Sequence, residues 1–122
     1  MQPLFDPAFE IVSPVGEPSP FVVNVPHAGR NYPQAFVDLA RLDRMGLRRS
    51  EDGFVDLLFA EAPALGAPLL KAHFPRAYLD VNREPYELDP RMFDGRLPAF
   101  ANTRSMRVAG GLGSVPRIVG DG

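Results

Sequence analysis

The stretch FVVNVPHAGRNYP, Phe21 to Pro33, decides the architecture. Phe21 to Val25 is a run of β-prone residues, and the breakers Pro26 and Gly29 end it at once. His27, one of only two histidines in the chain, stands in the turn. A side chain so placed leaves the end of a strand into a loop that glycine lets bend tightly, where α/β proteins commonly keep their chemistry.

On its N-terminal side FEIVS (Phe9 to Ser13) is a second β-prone run, and the breaker-rich PVGEPSP between the two predicts strands joined by a tight connection. On the C-terminal side PQAFVDLARL predicts a short helix, with Pro33 at its first position and Phe36, Val37, Leu39 and Ala40 on a helical repeat. Ser50 is placed to cap a longer helix. Glu51 and Asp52 fall in its positive first turn, and Phe54, Val55, Leu58, Phe59 and Ala62 form an apolar stripe that Pro63 and Gly66 terminate. APLLKAHF (Ala67 to Phe74) and RAYLDVNR (Arg76 to Arg83) then read as strands. Strand, helix and strand in that order predict a parallel crossover, and hence an α/β fold. From Glu84 to Gly122 no period is sustained, so this part reads as rich in loops, either a functional loop or part of something larger.

The 122 residues are 45% apolar and 23% charged, which fits one globular domain. Thirteen basic against fifteen acidic side chains give a net charge of -2, which argues against nucleic acid or an anionic membrane as a partner. The lack of cysteine excludes disulfides, thiolate metal sites and a cysteine nucleophile. The first twenty residues do not read as a secretion signal and no apolar run approaches a membrane span, so a soluble, cytoplasmic protein is expected.

His27 has the chemistry of a metal ligand or a base, and Asp52, at a helix N-terminus, is its natural carboxylate partner; a loop histidine and a helix-stabilising acid are the alternatives. Asp56, one turn on, is placed either to share that site or to pair with Arg48, Arg49 or solvent, while Glu51 reads as a solvated acid. His73, beside Phe74-Pro75, reads as structural, and would be a ligand only in an atypical site. If RAYLDVNR is a strand, Asp80 and Asn82 share a face between Arg76 and Arg83. Asn82 and Arg83 then suit a substrate with a free carboxylate, and an internal Asp80-arginine salt bridge is the competing reading. AGGLGSVPR lacks the lysine of a phosphate loop, and no nucleophile elbow or HExxH motif occurs.

Taken together, NVPHAGRNYP, SEDGFVDLLF, RAYLDVNR and GGLGSVPRIV resemble the N-formylglutamate amidohydrolase family in order and interval, with Ala28 where that family more often has serine. The resemblance implies a zinc-carboxypeptidase-like α/β fold, a mixed sheet flanked by helices on both faces, of which residues 1–122 form the N-terminal part of a single domain. It implies a zinc or other divalent metal held by His27 and Asp52, and Asn82 and Arg83 holding a substrate carboxylate. Arg76 is a further substrate-positioning candidate, with Asp80 and Asp56 supporting the ligands. The implied reaction is hydrolysis of N-formyl-L-glutamate to formate and glutamate, a step of histidine degradation, by metal-activated water. Proteins similar to this one are longer, so a further histidine ligand and the catalytic acid or base are expected beyond Gly122. A hydrolase of other N-acyl amino acids or peptides and an inactive fragment or binding module remain the alternatives. Half of such a fold is expected to be marginally stable or to associate with itself.

Overall fold

A computed structural model of the protein describes residues 3–120. Its centre is a three-stranded mixed sheet of β1 (Phe9–Val12), β2 (Val23–Val25) and β3 (Leu69–Ala72), in the order β1-β3-β2. β3 pairs antiparallel with β1, Phe9 opposite Ala72, and parallel with β2, Val23 opposite Leu69 and Val25 opposite Lys71. The parallel crossover expected from the sequence is therefore present. Helices α1 (Gln34–Leu39), α2 (Arg44–Arg48) and α3 (Val55–Leu58) lie within it, and α4 (Met106–Ala109) follows later.

The two N-terminal strands do not neighbour one another, because β3 lies between them. PVGEPSP does not turn a hairpin; it pairs with the end of the crossover, Val15 N–H donating to the Pro63 carbonyl and Ser19 N–H to that of Gly66 (both 2.9 Å). Gly66 has φ +87°, and a Cβ there would run into the Glu17 carbonyl, so only glycine allows this approach.

Two other expectations are corrected. The helix assigned to Ser50 onward begins only at Val55 and lasts one turn. The Asp52 N–H is taken by the His27 carbonyl at 3.0 Å, and the chain turns through Gly53 and Phe54, whose φ of 66° is left-handed, before helical geometry starts. A tertiary hydrogen bond thus overrides the local capping signal. RAYLDVNR is not a strand: Tyr78 N–H bonds back to the Pro75 carbonyl, and the Asp80 carboxylate accepts from the Asn82 N–H (2.9 Å each). That aspartate-centred turn competes with the extended form. α2, which the periodicity did not show, is capped by Asp43 through the Gly46 N–H at 2.7 Å.

Two small apolar clusters fix these elements. Val25, Ala28 and Leu69 pack with Val12, Val23 and Val55 at the sheet, and Tyr32, Leu47 and Ala77 with Phe36, Val37, Ala40 and Val119 beside it. Between Glu84 and Gly120 the described chain has one 3-10 turn, α4 and a single parallel bridge from Glu87 to Asn102. Polar groups hold it. Asp89 is 1% exposed and accepts a two-pronged bond from Arg91 and another from Arg117, all at 2.8 Å. Buried Glu87 accepts the Glu84 N–H at 3.2 Å, and its carbonyl takes the Ser114 N–H at 2.8 Å. Among the described residues no helix is long and apolar enough to cross a membrane.

Candidate functional site

The carboxyl ends of parallel strands open into a crevice where α/β proteins bind ligands. β2 delivers His27 there, and the chain leaving β3 delivers Arg76 and Asp80. Gly29 lets the His27 loop lie against the end of β3, where a Cβ would collide with the Phe74 carbonyl. The Asn31 N–H then bonds to the His73 carbonyl at 3.0 Å. Strand pairing and this close approach leave the His27 ring little freedom, and it is 6% exposed.

Both ring nitrogens face carboxylates. Nε2 lies 2.7 Å from Asp80 Oδ1, and Nδ1 lies 3.2 Å from Asp52 Oδ2. Burial pushes the Asp80 carboxyl up, but hydrogen bonds from His27, the Asn82 N–H and Arg76 outweigh it and hold Asp80 below its ordinary value. Asp80 is then an ionised acceptor, so the Nε2 position carries the hydrogen. In a neutral ring the Nδ1 lone pair consequently points at an Asp52 oxygen, an arrangement that calls for a proton or a cation between the two. Two ligand atoms on one tetrahedral zinc lie roughly 3.3 Å apart, close to the separation of Nδ1 and Oδ2. These two side chains fit as part of a metal site, with Asp80 orienting the histidine from behind. Among the described residues, however, no group of three or more His, Cys, Asp or Glu side chains is placed to hold a metal ion.

Arg76 ties the two acids together, Nη2 donating to Asp80 Oδ2 at 2.9 Å and Nη1 lying 3.6 Å from Asp52 Oδ1. Asp52, Arg76 and Asp80 open onto a cleft of about 290 Å³, whose other walls include Arg49, Leu112, Pro116 and Ile118. The cleft thus brings Arg49 and Arg76 together with Glu51, Asp52 and Asp80 beside an apolar wall.

The model of one protein family, N-formylglutamate amidohydrolase, matches residues 19–122. The chain belongs to the N-formylglutamate amidohydrolase family. Among solved structures it is similar to the N-formylglutamate amidohydrolase of Ralstonia eutropha JMP134, with 34% identity and a TM-score of 0.81. The similarity covers 93% of this chain and 39% of that one, so the chain spans about two fifths of the relative's length. No curated protein matches it.

Within this amidohydrolase-family chain, His27, Asp52, Arg76, Asp80 and Arg83 come together, Arg83 reaching within 3.6 Å of Asp80. The turn presents Asn82 differently from the expected strand face: its N–H serves Asp80 and the residue is exposed. Arg83 Nε is spent on the Leu112 carbonyl at 2.9 Å. Asp56 does not reach His27; it bonds to Arg30 at 2.7 Å. His73 pairs with Glu10 of β1 at 3.4 Å and does not line the cleft. Glu51, read as solvated, has a side chain only 5% exposed and accepts from the Tyr32 hydroxyl (2.7 Å) and Arg48 (3.1 Å). Burial, reinforced by the bond to Glu51, pushes the Tyr32 hydroxyl pKa far up, so it stays a donor. Pairing of Tyr32 with Glu51 and the contribution of Arg49 to the cleft carry no local sequence signal, since both arise where separate segments meet.

Proposed function

We propose that this protein hydrolyses the formamide of N-formyl-L-glutamate to formate and L-glutamate, in the cytoplasm and as part of histidine degradation. The observation that carries the reading is His27 clamped between Asp52 and Asp80 in a member of this family. The proposal extends to a complete fold of zinc-carboxypeptidase type. His27 and Asp52 would hold a zinc or other divalent ion, whose chemistry when bound is to activate water and polarise the formyl carbonyl. Asp80 keeps the His27 ring in one tautomer and orientation, and Arg76 fixes both carboxylates while presenting positive charge to the cleft. Arg83 and Asn82 act on the substrate carboxylate from the cleft's margin. A further ligand and the acid that protonates the leaving amine are assigned to residues outside this set.

Formate release from N-formyl-L-glutamate, measured beside acetate release from N-acetyl-L-glutamate, tests the reading. The expected result is turnover of the formyl compound alone, abolished in His27→Ala and by a chelator. Preference for the acetyl compound, or a fully active His27→Ala variant, would overturn it.

A further inference from the structure

We infer that Tyr32 and Glu51 are positioning residues: together they clasp the loop that carries His27 to the segment that carries Asp52, and so set the separation of the two proposed metal ligands. This rests on the proposed function. The two stretches are joined at two points. At one the Asp52 N–H donates to the His27 carbonyl at 3.0 Å, and at the other the Tyr32 hydroxyl donates to Glu51 Oε1 at 2.7 Å. Both bonds pair a residue of 27–32 with a residue of 51–52. Segments held at a single point are free to swing about it, whereas a second point fixes their relative orientation.

The second clasp is built as a rigid part. Tyr32 is 5% exposed, and so is the Glu51 side chain. Helix α2 braces both halves: Arg44 Nη1 donates to the Tyr32 carbonyl at 3.2 Å, and Arg48 Nε, one turn on, to Glu51 Oε1 at 3.1 Å. The Tyr32 side chain packs with Leu47 of the same helix and with Ala77, the neighbour of Arg76. Asp52 is held far less firmly by its own side chain, which is 48% exposed, with His27 Nδ1 at 3.2 Å and Arg76 Nη1 at 3.6 Å. The direction of its carboxylate therefore follows from its main chain, and the anchored residue is the one beside it. Binding constellations work only when their members are held to within about 0.5 Å, and partners outside the ligand set supply that hold.

The test is zinc affinity, measured by competition with a chromogenic chelator on the unaltered protein and on variants whose folding is checked by circular dichroism. Tyr32→Phe keeps the ring and removes the hydroxyl, and should weaken zinc binding about tenfold or more. Glu51→Ala probes the same contact from its other side and should weaken binding at least as far; adding Tyr32→Phe to it should cost nothing further, as for two halves of one interaction. Glu51→Gln, whose amide oxygen still accepts from Tyr32, should retain most of the affinity. Ser105→Ala removes the cap of α4, a 3.1 Å bond from the Val108 N–H, and should lower stability without changing zinc affinity. Unchanged affinity in Tyr32→Phe and Glu51→Ala, or an equal loss in Ser105→Ala, would overturn the clasp and leave the metal reading standing. Absence of zinc binding by the unaltered protein would overturn the metal reading and the assignment with it.

Discussion

At the scale of single residues the site depends on what stands behind His27. Asp80 is 5% exposed and meets His27, Arg76 and the Asn82 N–H, so it positions the imidazole rather than the substrate. With His27 as a ligand of the proposed zinc, Asp80→Asn should lower zinc affinity about 10–100-fold, the usual cost of removing a partner that orients a metal-bound histidine. Competition with a chromogenic chelator measures this, and unchanged affinity would remove Asp80 from that role. That His27 and Asp52 lie together was legible, because a histidine after a β-run and an acid beside a helical stripe are local signals. The bond from Asp80 to His27 was not, since it joins residues 53 positions apart. The alternation in RAYLDVNR mimicked a strand, whereas Asp80-Val81-Asn82 follows a turn in which the aspartate side chain supplies the acceptor.

At the scale of elements, the loop-rich segment after Arg83 keeps its shape through buried carboxylates where other segments use apolar contact. The bonds from Arg91 hold the Asp89 carboxyl far below the usual carboxylate range, Arg117 reinforcing and burial opposing. A folded-state pKa below the unfolded one gives stability that is complete above the unfolded value, about 4, and is lost as pH falls through the folded value. Hydrogen exchange in this segment should therefore stay slow at pH 5 and accelerate only in strong acid. Asp89→Asn should cost about 1.5–3 kcal/mol at neutral pH, read from urea unfolding; a smaller loss together with unchanged acid behaviour would contradict the account. The strands and the crossover were readable from periodicity. The shortening of α3 was not, because a carbonyl from the His27 loop captures the Asp52 amide.

At the scale of the whole molecule, much apolar surface faces outward. Phe9 and Ile11, 55% and 62% exposed, occupy one face of β1, an edge strand of the sheet, and Leu57 and Leu58 on α3 are likewise exposed. Covering each such side chain contributes roughly 1.5–3 kcal/mol, and an open apolar edge invites pairing. The 122-residue chain is expected to self-associate, its mass in light scattering rising with concentration, and Ile11→Lys should shift it toward monomer. A monomer at every concentration would contradict this. The α/β class was evident from the sequence, but the order β1-β3-β2 was not, because PVGEPSP bonds to the far end of the crossover. That seam has a practical consequence. Leu65, 78% exposed, precedes the amino end of β3, while His27 and Asp80 gather beyond the carboxyl ends. With no native cysteine to compete, a single thiol introduced at Leu65 offers a place to tether the protein to a surface or a dye with its cleft turned toward solution.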